Sequence, residues 1–157
     1  MIEFNDQSRK TNGTLTQMIL FLETIHEHAL AIDFSVFVLI WLVHLVIYPS
    51  FKEIDPEHFP RWHATYCNRI SFFVLPLMGM QLMEAASSCF FVGRVWEWVR
   101  LGAVVLAWGI TFLHSARCHR KLSQVGKEDS TIDSLLRGNL WRSLAWTLAF
   151  LASWVGY

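Results

Sequence analysis

His44, Tyr48, His63 and His114 are the side chains whose types and positions suit metal or proton chemistry in otherwise apolar surroundings. Imidazole titrates near neutral pH and is a common metal ligand, and Tyr48 follows His44 by one helical turn. Two histidines facing each other from separate helices, His44 with His114, would serve as axial ligands of a haem or hold a transition-metal ion. His63 is a third candidate. Spacing limits the alternatives. His58 and His63 are five residues apart, as are His114 and His119, a rotation of about 140° on a helix, so neither pair converges on one ion from a regular helix. No HExxH, HxxxH or Cys/His zinc pattern is present. His119 sits beside Arg117, Arg120 and Lys121 and reads as part of a basic, phospholipid-facing cluster.

A second set of polar residues lies inside apolar runs. Asp33 is 15 residues before Tyr48, and Glu84 is 14 residues after Ile70. At 1.5 Å of rise per residue both sit about 20 Å from the same end of their helices, so their depths match. Two acids at equal depth in lipid are costly unless protonated, paired or facing water, and either could carry a proton in transport. Gln81, one turn before Glu84, is a partner for them. Asn139 and Arg142 are polar positions at the start of the last apolar run, where an arginine is expected to snorkel toward the interface.

The elements that must position these groups follow from composition. Of 157 residues, 54% are hydrophobic and 17% charged, well below the quarter or so that soluble domains carry. Charges are sparse in four runs: Ala29–Tyr48 holds only Asp33, Ile70–Val92 only Glu84, Leu140–Tyr157 only Arg142, and Leu101–Ala116 none. Each run, with flanking residues for the last two, approaches the ~20 residues that cross the hydrocarbon core. The expected fold is therefore all-α, an integral membrane four-helix bundle. Residues 1–14 form a polar tail and 15–157 a single transmembrane domain, with helices near 15–48, 69–92, 96–118 and 138–157. Leu15–His28 reads as an amphipathic extension of the first helix rather than a cleaved signal, because Glu23, His26, Glu27 and His28 interrupt its apolar patch. Pro49 is expected to end the first helix and Pro76 to kink the second.

Side chains also set packing and orientation. Asp33, Phe37, Trp41, His44 and Tyr48 form one helical stripe. Small residues repeat every four positions at Ala103, Ala107, Thr111 and Ser115, and again at Ala145, Ala149 and Ser153, as close helix packing in lipid requires. Trp62, Trp96, Trp98, Trp141 and Trp154 fall at run ends, suiting the headgroup zone. Lys52, Arg61, Arg69, Arg117, Arg120, Lys121, Lys127 and Arg137 belong to the first and third loops. The tail and second loop hold Arg9, Lys10, Arg94 and Arg100. The bias puts the first and third loops in the cytoplasm, with both termini on the other side of a bacterial inner membrane. Polar groups of all four helices then gather in a pocket at the cytoplasmic face. The cysteines Cys67, Cys89 and Cys118 show no disulfide framework. With zero net charge and no basic stripe interleaved with aromatics, nucleic acid is not an expected partner.

The motifs Trp41-x2-His44-x3-Tyr48-Pro49-x-Phe51, Phe59-x9-Asn68-Arg69-Ile70, Pro76-x-Met78, Trp108-x2-Thr111, His119-x2-Leu122 and Asn139-x-Trp141-Arg142-x3-Trp146 span nearly the whole chain. Together they resemble a loosely defined group of small bacterial multi-pass membrane proteins. In that group's pattern position 44 is usually a glutamine and positions 47 and 66 histidines, where this chain has His44, Ile47 and Tyr66. The resemblance implies fold and location and brings no activity with it. Three functional readings follow from the residues. The first is a non-enzymatic membrane component, an accessory subunit or small binding protein, whose partners are the bilayer and a homo-oligomer or larger complex. The second is a haem- or metal-binding redox protein, the leading enzymatic option, using His44, His114 and His63. The third is a proton-coupled transporter or channel using Asp33 and Glu84.

Overall fold

The computed structural model describes residues 16–156 apart from 18, 22 and 25; the expected polar tail lies outside the described residues. Helix accounts for nearly all of them, and among the described residues no strand forms. Four long helical segments follow one another: α1, Ala29–Glu53; α2, Phe59–Phe91; α3, Val95–Val125; and α4, Asp129–Gly156. Residues 16–27, where described, are helical and exposed. By length and composition α1, α2 and α3 could each cross a membrane. The acids and bases of its first three turns set α4 apart from them.

Two helices are longer than the apolar runs implied at the ends that matter most. α2 starts at Phe59 rather than near 69, with Pro60 in its first turn, where a missing N–H costs nothing. The added residues carry His63, Tyr66 and Cys67. α3 continues past 118 to Val125 and stops at Gly126, whose φ of 94° is left-handed backbone open to glycine. α4 begins at Asp129, nine residues before the expected start. Nor does Pro49 end α1. Val43–Ile47 is a π turn in which the Tyr48 N–H reaches the Val43 carbonyl, and the helix then runs through Ser50 into a 3₁₀ turn ending at Glu53. The widened turn shifts the hydrogen-bond ladder just before the residue that lacks a donor. A matching π turn, Thr111–Ser115, interrupts α3. His44 and His114 each lie in one of these turns. α2 runs unbroken through Pro76.

α3 and α4 share the most extensive helix–helix contact, with α1 against α4 next. The small-residue stripes make this approach possible. Ala103 and Ala149 pack with Ala85 and Val104, and Ala107 and Ala145 pack with Val36, Ile40, Met78 and Trp146. On α1 the Trp41 indole donates to Thr147 Oγ1 of α4 at 3.0 Å. A third core, Tyr48, Phe51, Phe59, Leu122, Ile132 and Leu135 among it, closes the end where α1 meets α2 and α3 meets α4. There Lys127 Nζ bonds the carbonyls of Lys52 and Ile54, tying the two loops together. Outside, large apolar side chains such as Leu45, Phe72, Phe73, Leu113 and Leu151 are exposed along the helices.

Candidate metal centre

His63 and Cys67 are four residues apart on α2, so they lie on one face. That face meets His119 on α3, and the three side chains bring one ligand atom each to within 4.8 Å of one another. His63 Nε2 and His119 Nδ1 are 3.0 Å apart, and Cys67 Sγ is 3.6 Å from the first and 3.7 Å from the second. Bonds of about 2.0 Å to nitrogen and 2.3 Å to sulfur, spread at trigonal angles, would separate sulfur from nitrogen by ~3.7 Å and the nitrogens by ~3.5 Å. The thiol already stands at those distances; the two rings need part only by about half an ångström.

The outward nitrogens of both rings are held. Ser123 Oγ donates to the His119 carbonyl at 2.9 Å, so it accepts from His63 Nδ1 at 3.1 Å. That fixes the neutral His63 ring with its proton outward and the Nε2 lone pair inward. His119 Nε2 meets the Tyr48 hydroxyl at 3.0 Å. Such hydroxyl partners orient imidazoles for a metal. Without an ion, a single proton bridges the facing nitrogens: His119 Nδ1–H donates to His63 Nε2, and Tyr48 donates to His119 Nε2. Were an ion held there, its ligands would be His63 Nε2, His119 Nδ1 and the Cys67 thiolate, with the His119 proton on Nε2 toward Tyr48. Aromatic rings wall the site. Phe59 stacks on His63 at 5.3 Å, Phe51 meets His63 edge-on at 5.7 Å, and the two imidazoles stack at 5.2 Å. His63 is fully buried.

The other candidate residues are placed differently. His114 Nε2 bonds the Ser134 carbonyl of α4 at 3.0 Å, an approach that Gly138 permits, since a Cβ there would stand 2.1 Å from His114 Cδ2. His44 packs edge-on against Trp41, and its buried Nδ1 has no hydrogen-bond partner. Neither joins the cluster, whereas Tyr48 supports it through His119. His119 is not part of a surface basic patch: its ring turns inward, while Arg117, Arg120 and Lys121 lie on the exposed side of the helix. Cys67 and His119 are the ligand atoms that sequence reasoning missed.

At the opposite end, Asp33 and Glu84 do come together, through Arg100. Counted among the second-loop charges, Arg100 instead sits within α3 and is 2% exposed. Its Nε bonds Asp33 Oδ2 at 2.6 Å, its Nη1 meets Glu84 Oε2, and Glu97 lies 3.9 Å away. Gln81 donates to Asp33 at 2.6 Å and accepts from Trp146 Nε1 at 3.0 Å, while Ser88 donates to Glu84 at 2.6 Å. His26 caps the network at Glu84 Oε1, 2.9 Å away. Asn139 and Arg142 are buried and bonded to each other, so Arg142 points inward rather than snorkelling.

Compared with protein-family models, with curated proteins and with solved structures, the chain matches none of them.

Proposed function

We propose that this chain is an integral membrane four-helix bundle that binds one soft or borderline transition-metal ion, copper or zinc, at His63, Cys67 and His119. The observation that carries the reading is the convergence of the three ligand atoms with both outer ring nitrogens already hydrogen-bonded. A thiolate and two imidazoles in a trigonal set suit copper or zinc and disfavour magnesium or calcium, which take oxygen. An ion fits better than haem, because a porphyrin plane needs its axial nitrogens about 4 Å apart at ~2 Å per bond, and these are closer. Three apolar helices and their exposed leucines and phenylalanines support a membrane location. In this reading α4 crosses as well, with one face against α1 and α3 and Leu144, Leu148 and Leu151 exposed on the other. Basic residues at that end, Lys52 and Arg61 on either side of the loop after α1 and Arg120, Lys121 and Lys127 at the loop after α3, favour the metal end facing the cytoplasm and both termini opposite, in a bacterial inner membrane.

This reading makes the chain a metal-binding component of a membrane. It does not require the proton transport that Asp33 and Glu84 suggested: Arg100 pairs with both acids, which gives them a structural role. The test is elemental analysis of detergent-purified protein, with absorbance recorded oxidised and then reduced. About one copper or zinc per chain is expected, lost in Cys67→Ser and His119→Ala and retained in His44→Ala and His114→Ala. A visible thiolate-to-metal band that bleaches on reduction identifies copper and a redox role, while a colourless stoichiometric site is zinc or copper(I), which the elemental analysis separates. Metal content unchanged in Cys67→Ser would overturn the assignment.

A further inference from the structure

Among the described residues two arginines are buried, and they are compensated in opposite ways. Arg100 has Asp33, Glu84 and Glu97 around it. Arg142 is 6% exposed, yet its partners are neutral. Its Nη1 donates to Ser115 Oγ and Asn139 Oδ1, both at 3.2 Å, its Cζ lies 5.0 Å from the Trp146 ring centroid, and its Nε has no partner. Among the described residues no carboxylate pairs with it. A guanidinium keeps its charge at any physiological pH, and an uncompensated buried charge costs several kcal/mol.

Arg142 lines a cavity of about 310 Å³ between α2 and the pair α1 and α3. The rest of the wall is mostly apolar, with Ile40 and Val43 from α1, Val74 and Met78 from α2, and Phe112 from α3. Leu75 and Phe112 line the cavity and are also half exposed on the apolar exterior, so its mouth opens where lipid would lie. A cationic floor beneath apolar walls, entered from an apolar surface, selects a molecule with an anionic head and a hydrocarbon tail.

We propose that this cavity binds a single-chain anionic amphiphile, its carboxylate or phosphate on the Arg142 guanidinium and its tail between α2 and α3. The head completes Arg142 as the acids complete Arg100, and Trp146 forms part of the wall. A free fatty acid and a lysophospholipid present the same chemistry. The proposal does not rest on the metal reading, although Cys67 and His119 border the same cavity.

The test uses the full chain in phosphatidylcholine nanodiscs, titrated with dibrominated stearate while tryptophan fluorescence is followed. Saturable quenching is expected, lost in Trp146→Phe, with the methyl ester at least tenfold weaker than the acid. Arg142→Gln should weaken the acid by at least tenfold and leave the ester unchanged. Ser71→Phe, which fills the cavity and leaves Arg142 in place, should abolish binding and keeps the test decisive if Arg142→Gln fails to fold. Wild type stripped of metal with a chelator should bind stearate as the untreated protein does, so loss of the metal and loss of this site are read separately. Displacement of stearate by lysophosphatidate at lower concentration assigns a phosphate head, and failure to displace assigns a carboxylate. Equal binding of acid and ester, or full binding by Ser71→Phe, would overturn the proposal.

Discussion

The two polar clusters sit at opposite ends of the helices, and they solve the problem of polarity in an apolar bundle differently. Glu84 and His63 are both on α2 and 21 residues apart, about 30 Å by helical rise, close to the thickness of a bilayer's hydrocarbon core. At the Glu84 end, charge meets charge: Arg100 pairs with both Asp33 and Glu84, and Gln81 and Ser88 take up remaining hydrogen bonds. At the His63 end the groups are neutral, and two ring nitrogens and a thiol face inward on one another while hydroxyls hold them from behind. The first cluster matches cation to carboxylates, although Arg100 Nη2 is left without a hydrogen-bond partner. The second is arranged around a point that a cation would fill. Burial is therefore not what marks a site, since His63 is as buried as Glu84; what differs is that one cluster sets charge against charge and the other gathers three metal-ligating atoms with no carboxylate among them.

The comparison breaks most visibly at Arg100. Arg100→Met would leave Asp33 and Glu84 buried without a countercharge, and it should destabilise the protein by about 3–5 kcal/mol, read as a fall in the thermal unfolding midpoint in detergent. Adding Asp33→Asn and Glu84→Gln removes the stranded charges and should recover most of that loss. An unchanged midpoint in Arg100→Met would mean the network is not holding the helices together. At the other end the pattern reverses. Cys67→Ser should lower metal affinity by more than a hundredfold, beyond the 10–100-fold typical of supporting residues, while shifting the metal-free protein's stability by under about 1 kcal/mol, in the range of an ordinary mild substitution. A Cys67→Ser variant that melts as early as Arg100→Met would erase the distinction between the two ends.

Next in size are the groups behind the ligands. Ser123→Ala removes the acceptor that keeps the His63 proton outward, and Tyr48→Phe removes the hydroxyl on His119 Nε2. Each should cost 10–100-fold in metal affinity with the ligand set intact, measured by competition with a chromophoric chelator. Full affinity in both variants would show that the rings are held by packing against Phe51 and Phe59 alone.

How far the sequence reaches differs between the ends in the same way. Equal depth of Asp33 and Glu84 followed from residue counting, and so did their need for a partner. Arg100 escaped because a charge near a run boundary reads as loop until a helix is known to carry it inward. The metal end was harder. His63-x3-Cys67 has the spacing that puts two ligands on one face, but His114-x3-Cys118 has the same spacing, with 3.8 Å between Cys118 Sγ and His114 Nε2. The His114 ring is already bonded to Ser134, and among the described residues no third ligand joins it. Only tertiary contact separates the two pairs. His119 was misread because its sequence neighbours are basic, whereas a helix turns successive residues by about 100° and so sends neighbours to different faces. The early start of α2 was hidden for a related reason: 59–68 is mixed in polarity, and hydropathy alone marks only the part of a helix that is greasy on every side.

The smallest effect belongs to the turn that closes the metal end. Lys121 Nζ lies 2.5 Å from Glu128 Oε2, the Thr131 hydroxyl donates to the same oxygen, and the Glu128 carbonyl accepts from the N–H groups of Thr131 and Ile132 to begin α4. The hydrogen bond from Lys121, then that from Thr131, holds the Glu128 carboxyl below its ordinary 4.5. A carboxyl lowered on folding adds stability above its unfolded value and loses it as the pH falls through the folded one. Metal-free wild type should therefore lose slightly more of its thermal midpoint between about pH 6 and pH 4 than Glu128→Gln does, by an amount kept small because an exposed pair is screened. Equal slopes would assign the turn to Thr131 and the backbone rather than to charge. Using the metal-free protein matters here, since acid also competes for imidazole and thiolate, and a holoprotein would report the loss of its ion instead of the loss of its turn.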